Sequence, residues 1–243
     1  MYKSFSSSRE SWGIMSCETH RNQPSCVLRV PIFKNLDMDT IEKLHEIIQK
    51  KTYKKGDFIF REGDRSETLF VVSDGMIKIS KISEKGKEHS IRFLFPGDFF
   101  GQFALLQDKT HYANAEALED VVVCTIHKND FKEMLAKNPQ ITYQFLVELT
   151  NRLRETDEWV SNISLLEVER RLAKLLLIFY ERSYPSNQIL ELPVAKKELA
   201  ALIGTTPETV SRKLSHFESL GFIQLIGRTK IRMIDPNRLE KLV

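Results

Sequence analysis

The residues with the most specific chemistry lie near the C-terminus, where Glu208, Ser211, Arg212 and His216 recur at steps of three and four and so share one face of a helix. Val210, Leu214 and Phe217 take the opposite, apolar face. The outward set matches what base edges present in a DNA major groove. Arg donates two bonds to guanine, Glu accepts from the cytosine amino group, and Ser bonds several edges. Phosphates repel a carboxylate, so Glu208 makes sense there if it reads a base or orients Arg212. The blander reading of Glu208 is a helix cap with a surface pair to Arg212, worth about 0.3–0.5 kcal/mol.

The surrounding sequence supplies the elements that would hold this face in place. Residues 196–203 have helical spacing with Leu199, Ala200 and Ile203 inward, and Gly204 gives the break of a tight helix-turn-helix. Thr205 and Glu208 have capping-box spacing, with Pro207 in the first turn, where a missing N–H costs little. After Gly221, residues 222–226 and 229–234 alternate across a turn at Gly227 and Arg228, which predicts a hairpin wing. Arg228 and Lys230 at its tip, with Lys196, Thr206 and Lys213, are candidate phosphate contacts, which fix register without reading sequence. The charge is distributed accordingly: residues 167–243 hold 13 Lys or Arg against 9 Asp or Glu, whereas residues 1–166 hold 23 against 24. A basic domain suits an anionic partner.

Upstream, residues 51–126 alternate short Phe-, Val- and Ile-rich runs (58–60, 69–72, 76–82, 91–95, 121–126) with turns. Gly56, Gly63, Gly75, Gly86, Gly97 and Gly101 punctuate them, predicting a β-barrel or jelly roll closed by short helices at 38–49 and 129–135. From Pro139 to about Leu166 no Gly or Pro interrupts a heptad pattern of Leu146, Leu149, Leu153, Thr156, Val160 and Ile163. Glu148, Arg152, Arg154, Glu155 and Asp157 surround it. That predicts a coiled-coil seam and a homodimer; a helix packed on its own barrel would need only one such stripe. The fold class is therefore α+β: an N-terminal extension (1–26), a barrel (27–138), a dimerisation helix (139–166) and a winged helix-turn-helix (167–243).

Over residues 27–243 this order resembles the CRP/FNR family of bacterial regulators. KKGDFIFREGD, Asp74–Gly75 and PGDFFG look like the family's cyclic-nucleotide-binding-type barrel, and ETVSR at 208–212 looks like the recognition helix of its FNR branch. The resemblance implies that Glu208, Ser211 and Arg212 read palindromes with TTGAT and ATCAA arms, about one DNA turn apart, and that RNA polymerase is a partner. Pro207 departs from the common pattern. So does the phosphate cassette. Where members that bind cyclic AMP carry a Glu for the ribose and an Arg-Ser pair for the phosphate, this chain has Gln102, Tyr112 and Ala113, which argues against a cyclic nucleotide.

The chain has three cysteines, too few for a disulfide scaffold. Cys17 and His20 form a C-x-x-H pair, Cys26 follows, and Cys124 lies in a Val-rich strand run. Cys124 resembles the barrel cysteine of FNR proteins, which hold an oxygen-sensitive iron–sulfur cluster, yet a four-iron cluster usually takes four thiolates. SCVLRVPIF around Cys26 looks closer to the FNR-like proteins called Flp, which implies a reversible disulfide between Cys26 and Cys124. Three readings stay open: that redox switch, a zinc or iron–sulfur site using Cys17, His20, Cys26 and Cys124, or no sensing role.

Other classes find less support. His45, His89, His111 and His127 are scattered, and neither a nucleophile–base arrangement nor a P-loop is visible, so an enzyme is not expected. The longest apolar run, 175–180, is far short of the ~20 residues of a membrane span, and the polar, Ser-rich start lacks a signal-peptide core. A cytoplasmic protein is expected, with Met15 as an alternative start. The remaining alternatives are a regulator gated by a small molecule in the barrel, a redox or metal-binding protein with incidental DNA contact, and a thiol enzyme.

Overall fold

A computed structural model describes residues 31–33, 38–86, 88–183, 188–192 and 194–243. Cys17, His20, Cys26 and the expected 1–26 extension lie outside the described residues.

After a 3-10 turn at Pro31–Phe33, α1 (Met38–Ile47) leads into a jelly roll of two four-stranded antiparallel sheets. One has the order β1 (Ile48–Tyr53), β8 (Val121–His127), β3 (Thr68–Asp74), β6 (Phe99–Phe100); the other runs β2 (Phe58–Phe60), β7 (Asn114–Ala117), β4 (Ile77–Ile82), β5 (Glu88–Leu94). Strong β-formers on central β3 and β8 are buried on both faces, which is why those runs read as continuous apolar stretches rather than alternating ones. Glycines make the corners. At Gly75 (φ +81°) an added Cβ would meet the Asp120 carbonyl at 2.6 Å, and at Gly101 (φ +87°) the Thr68 carbonyl at 2.8 Å.

Two apolar clusters divide the barrel. Phe70, Val72, Ile77, Leu94, Phe100 and Val123 fill its middle. Ile32, Phe33, Leu69, Phe99, Cys124, Phe131 and Phe145 join one sheet to α2 (Gln102–Gln107), α3 (Lys128–Lys137) and α4 (Pro139–Leu165). Pro139 opens α4, where its missing N–H is harmless. Ile141 and Phe145 anchor the helix to the barrel, and Leu149 packs partly on the same cluster. Leu146, Leu153, Thr156, Val160 and Ile163 stay exposed, with Leu153 at 64% and Val160 at 58%.

The C-terminal part follows as α5 (Val168–Ser183), β9 (Ile189–Glu191), α6 (Lys196–Leu202), α7 (Pro207–Ser219), β10 (Ile223–Ile226), β11 (Lys230–Met233) and α8 (Pro236–Glu240), with the strands ordered β10-β11-β9. Leu172, Leu176, Phe179, Leu199, Val210, Leu214, Phe217 and Ile231 form its core. That core is continuous with Met76, Phe93, Phe95 and Leu118 of the barrel.

Some local expectations need correction. The helix expected at 38–49 stops at Ile47, and Ile48 begins β1, because Ile48 to Tyr53 pair with Ile126 to Val121. The cap of the second helix is Thr206 rather than Thr205: the Thr206 side chain accepts from the Thr209 N–H, and Pro207 takes the first helical position. Arg152, one of the charges expected around the seam, turns inward. It donates to the Phe99 carbonyl at 2.5 Å and lies over the Phe99 ring, 3.5 Å from its centroid.

Candidate nucleic-acid interface

Residue types fix the first turn of α7. Thr206 and Thr209 hydroxyls lie 3.1 Å apart, and the Arg212 guanidinium donates to Thr209 Oγ1 at 3.4 Å. This chain of side chains, rather than Glu208, steadies Arg212. Glu208 makes no ion pair among the described residues and is exposed, as is Arg212. One turn on, Ser211 is half-buried and accepts from Lys196 Nζ at 3.3 Å, so the start of α6 touches the outward face of α7. Val210, Leu214 and Phe217 are buried beneath, so the helix cannot roll without opening the core.

Gly204 (φ +67°) makes the turn between α6 and α7, and Gly227 (φ +67°) the turn of the β10–β11 wing. Arg228 at the wing tip is exposed and in no ion pair among the described residues. Lys230 lies 3.3 Å from Glu191 on the neighbouring β9. Lys213 is further from the expected role: its ammonium pairs with Glu169 at the start of α5, and the same carboxylate lies 3.8 Å from His216 Nε2. Such partly exposed pairs are weak enough to exchange for a phosphate. Glu208, Ser211, Arg212, Lys196 and Thr206 thus converge at the start of the helix. Cys124 does not join them; it is 1% exposed, inside the other core cluster of the barrel. Thr209 and Glu169 do not stand out by spacing alone. The i, i+3 run of Thr206, Thr209 and Arg212 would have revealed the first once the cap was placed at Thr206.

The barrel has a concave site lined by Phe60, Ile79, Arg92, Phe100, Gln102, Phe103, His111, Tyr112 and Ala113, with about 20 Å³ left open. That volume is of the order of one water molecule. His111 fills it, stacked on Phe60 with centroids 3.4 Å apart, and burial pushes its imidazole down to about 4, against a smaller upward pull from Asp64. Gln102 and Ala113 are buried there, and Arg92 is the one Lys or Arg in the lining. These residues do not fit a cyclic nucleotide: its ribose and base would have to displace packed aromatic rings. Among the described residues, no group of three or more His, Cys, Asp or Glu could hold a metal ion.

Comparison with known proteins agrees with this geometry. Residues 50–138 match the family model described as a cyclic nucleotide-binding domain, and residues 170–242 match the Crp-like helix-turn-helix domain. The chain is 30% identical over 216 residues to a protein of Lacticaseibacillus casei named "Probable transcriptional regulator flp", covering 89% of this chain and 97% of that one. The chain belongs to the CRP/FNR family of DNA-binding transcription regulators. Another CRP/FNR relative, the cyclic AMP receptor protein of Thermus thermophilus, is 30% identical, with 87% of this chain and 96% of its own covered. FixK2 from Bradyrhizobium japonicum has the same CRP/FNR fold, with a TM-score of 0.72 over 81% of this chain and 97% of its own at 23% identity. The family consists of regulators, not enzymes. No described helix is long and apolar enough to cross a membrane.

Proposed function

We propose that this CRP/FNR regulator acts as a cytoplasmic homodimer that reads a TTGAT/ATCAA-type palindrome through Glu208, Ser211 and Arg212. Lys196, Thr206, Lys213, Arg228 and Lys230 hold it to phosphates, and RNA polymerase is its partner at promoters. The observation that carries the reading is the exposed face at the start of α7, where Arg212 is hydrogen-bonded but not neutralised and Glu208 is unpaired among the described residues. The dimer is supported by the exposed stripe of Leu146, Leu153, Val160 and Ile163 on α4, since apolar residues repeating along a 27-residue helix need a partner. The working division of the chain is a 1–26 extension, a 27–138 barrel, a 139–166 dimerisation helix and a 167–243 reading domain.

The signal is sensed through thiols. Ile32 and Phe33 share the cluster that contains Cys124, and Cys26 stands six residues before Ile32, a stretch that can span up to about 20 Å. A reversible Cys26–Cys124 disulfide is therefore within chain reach, and forming it would pull on the cluster under α4. The second reading is a metal or cluster held by Cys17, His20, Cys26 and Cys124; in both readings Cys124, packed as a small hydrophobe, must first become accessible. The filled cavity weighs against gating by a nucleotide.

Two measurements test this. At moderate salt, the purified dimer binds the TTGAT/ATCAA palindrome at least about a hundredfold more tightly than scrambled DNA; equal affinity overturns the reading. For the sensor, anaerobically purified protein loses two thiols per chain in air, in wild type but not in Cys124→Ser, and contains no metal. Unchanged thiols overturn the disulfide, and stoichiometric iron or zinc favours the metal site.

A further inference from the structure

Two ionic hubs cross from the barrel to the C-terminal domain. The first is Lys78 on β4, 3% exposed. Its ammonium lies 2.8 Å from Glu116 on β7, 2.9 Å from Glu88 on β5 and 3.4 Å from Glu198 on α6. Burial works against the charge, but the Glu116 and Glu88 carboxylates outweigh it and hold the amine above its usual range. Glu198 divides its two oxygens: Oε2 accepts from the Ala195 N–H at the cap of α6, and Oε1 faces Lys78.

Asp98 of the PGDFFG corner forms the second hub. Its carboxylate accepts from the Phe95 N–H at 2.9 Å, takes Arg182 of α5 at 2.9 and 3.1 Å, and lies 3.8 Å from Arg152 of α4. One carboxylate therefore touches the barrel, the long helix and the reading domain. Between the hubs Phe179 of α5 packs on Phe93 and Phe95, with centroids 5.2 and 5.6 Å away, and α6 lies along β5. Glu208 and Arg212 on the outward face of α7 stay exposed, and Ser211 of that face meets Lys196 at the start of α6.

We propose that Lys78 and Asp98 are positioning residues for DNA reading: by gripping Glu198 and Arg182 they fix the reading domain on its own barrel, and so set the separation and tilt of the two recognition helices in the dimer. This rests on the reading that α7 binds an operator as one of a dimeric pair. The consequence is selectivity for the spacing between half-sites, because one base pair displaces a half-site by about 3.4 Å and turns it by about 35°. A swinging domain would follow that change; a clamped one cannot. If the domain is released, Lys78 keeps Glu88 and Glu116 while Glu198 keeps its cap, so loosened variants remain folded.

The test uses the full-length dimer as wild type, Glu198→Gln, Arg182→Gln and the double variant; the amide introduced by Glu198→Gln still offers an oxygen to the cap. The DNA is the best duplex that wild type selects from a random pool, together with versions whose spacer is one base pair longer or shorter, and a single half-site. Wild type loses at least about tenfold in affinity for each altered spacer, and the double variant no more than about threefold, with half-site affinity unchanged. Without DNA, hydrogen exchange of the α6 and β5 amides rises at least about tenfold in the double variant, while β3 and β8 keep their protection. Unchanged spacer selectivity in the double variant, or unchanged exchange, overturns the proposal. If wild type selects no palindrome, the operator reading has failed, and exchange alone still decides whether the clamp exists.

Discussion

Arg212 is worth more than a positive charge if it reads guanine, because its planar fork places two donors at fixed geometry. Arg212→Lys should therefore lower affinity for the palindrome by about 10- to 100-fold while barely changing the dependence on salt. Lys230→Ala should do the reverse, weakening all sequences alike and lowering the salt slope by about one per protomer. Fluorescence titrations over a range of salt separate the two. His111 makes a different prediction. Its folded value of about 4 lies below the ordinary 6.5, so the unfolded chain binds the proton first and stability falls as pH drops from about 6.5 toward 4. His111→Phe keeps the stack on Phe60 but cannot titrate, so its melting temperature should decline less over that window; an identical decline would assign the effect elsewhere. The two faces of α7 were legible in the sequence because spacing alone sorts a helix into an apolar and an outward side. Thr209 was not, since its role depends on a cap that falls one residue later than the Thr205–Glu208 spacing suggested.

At the level of elements, the proposed dimer rests on the exposed seam of α4. Leu153 and Val160 are well exposed and make no part of the barrel core, so Leu153→Asp with Val160→Asp should yield a folded monomer, seen by light scattering with an unchanged far-ultraviolet spectrum. A variant that remained dimeric would place the interface elsewhere. The long helix was legible because Pro139 starts it and neither Gly nor Pro interrupts the run, and strands such as β2 and β8 were legible from their apolar content. Two-residue β6 and β7, built from Asn114 to Ala117, were not, because they are strands only through their pairing with β3, β2 and β4. Arg152 shows the same limit: a charge at a solvent-type heptad position is drawn in by the Phe99 ring and carbonyl, which no local pattern announces. Its burial, with the Arg92 charge nearby, brings the guanidinium down to about 10, still protonated at neutral pH.

The whole molecule joins a filled barrel, an exposed helix stripe and a reading domain that shares its core with the barrel. The domain order could be read from the sequence, but the docking could not, because the pairs that make it, Lys78 with Glu198 and Asp98 with Arg182, are 120 and 84 residues apart. The central claim, that a dimer reads bases through α7, is tested most directly by titrating wild type and Arg212→Ala side by side against the TTGAT/ATCAA palindrome and its scrambled counterpart at one moderate salt concentration. Wild type should show at least about a hundredfold preference, bound as two protomers per duplex, and the variant should lose most of that preference. Equal affinity of wild type for both duplexes, or a preference untouched by Arg212→Ala, would contradict it.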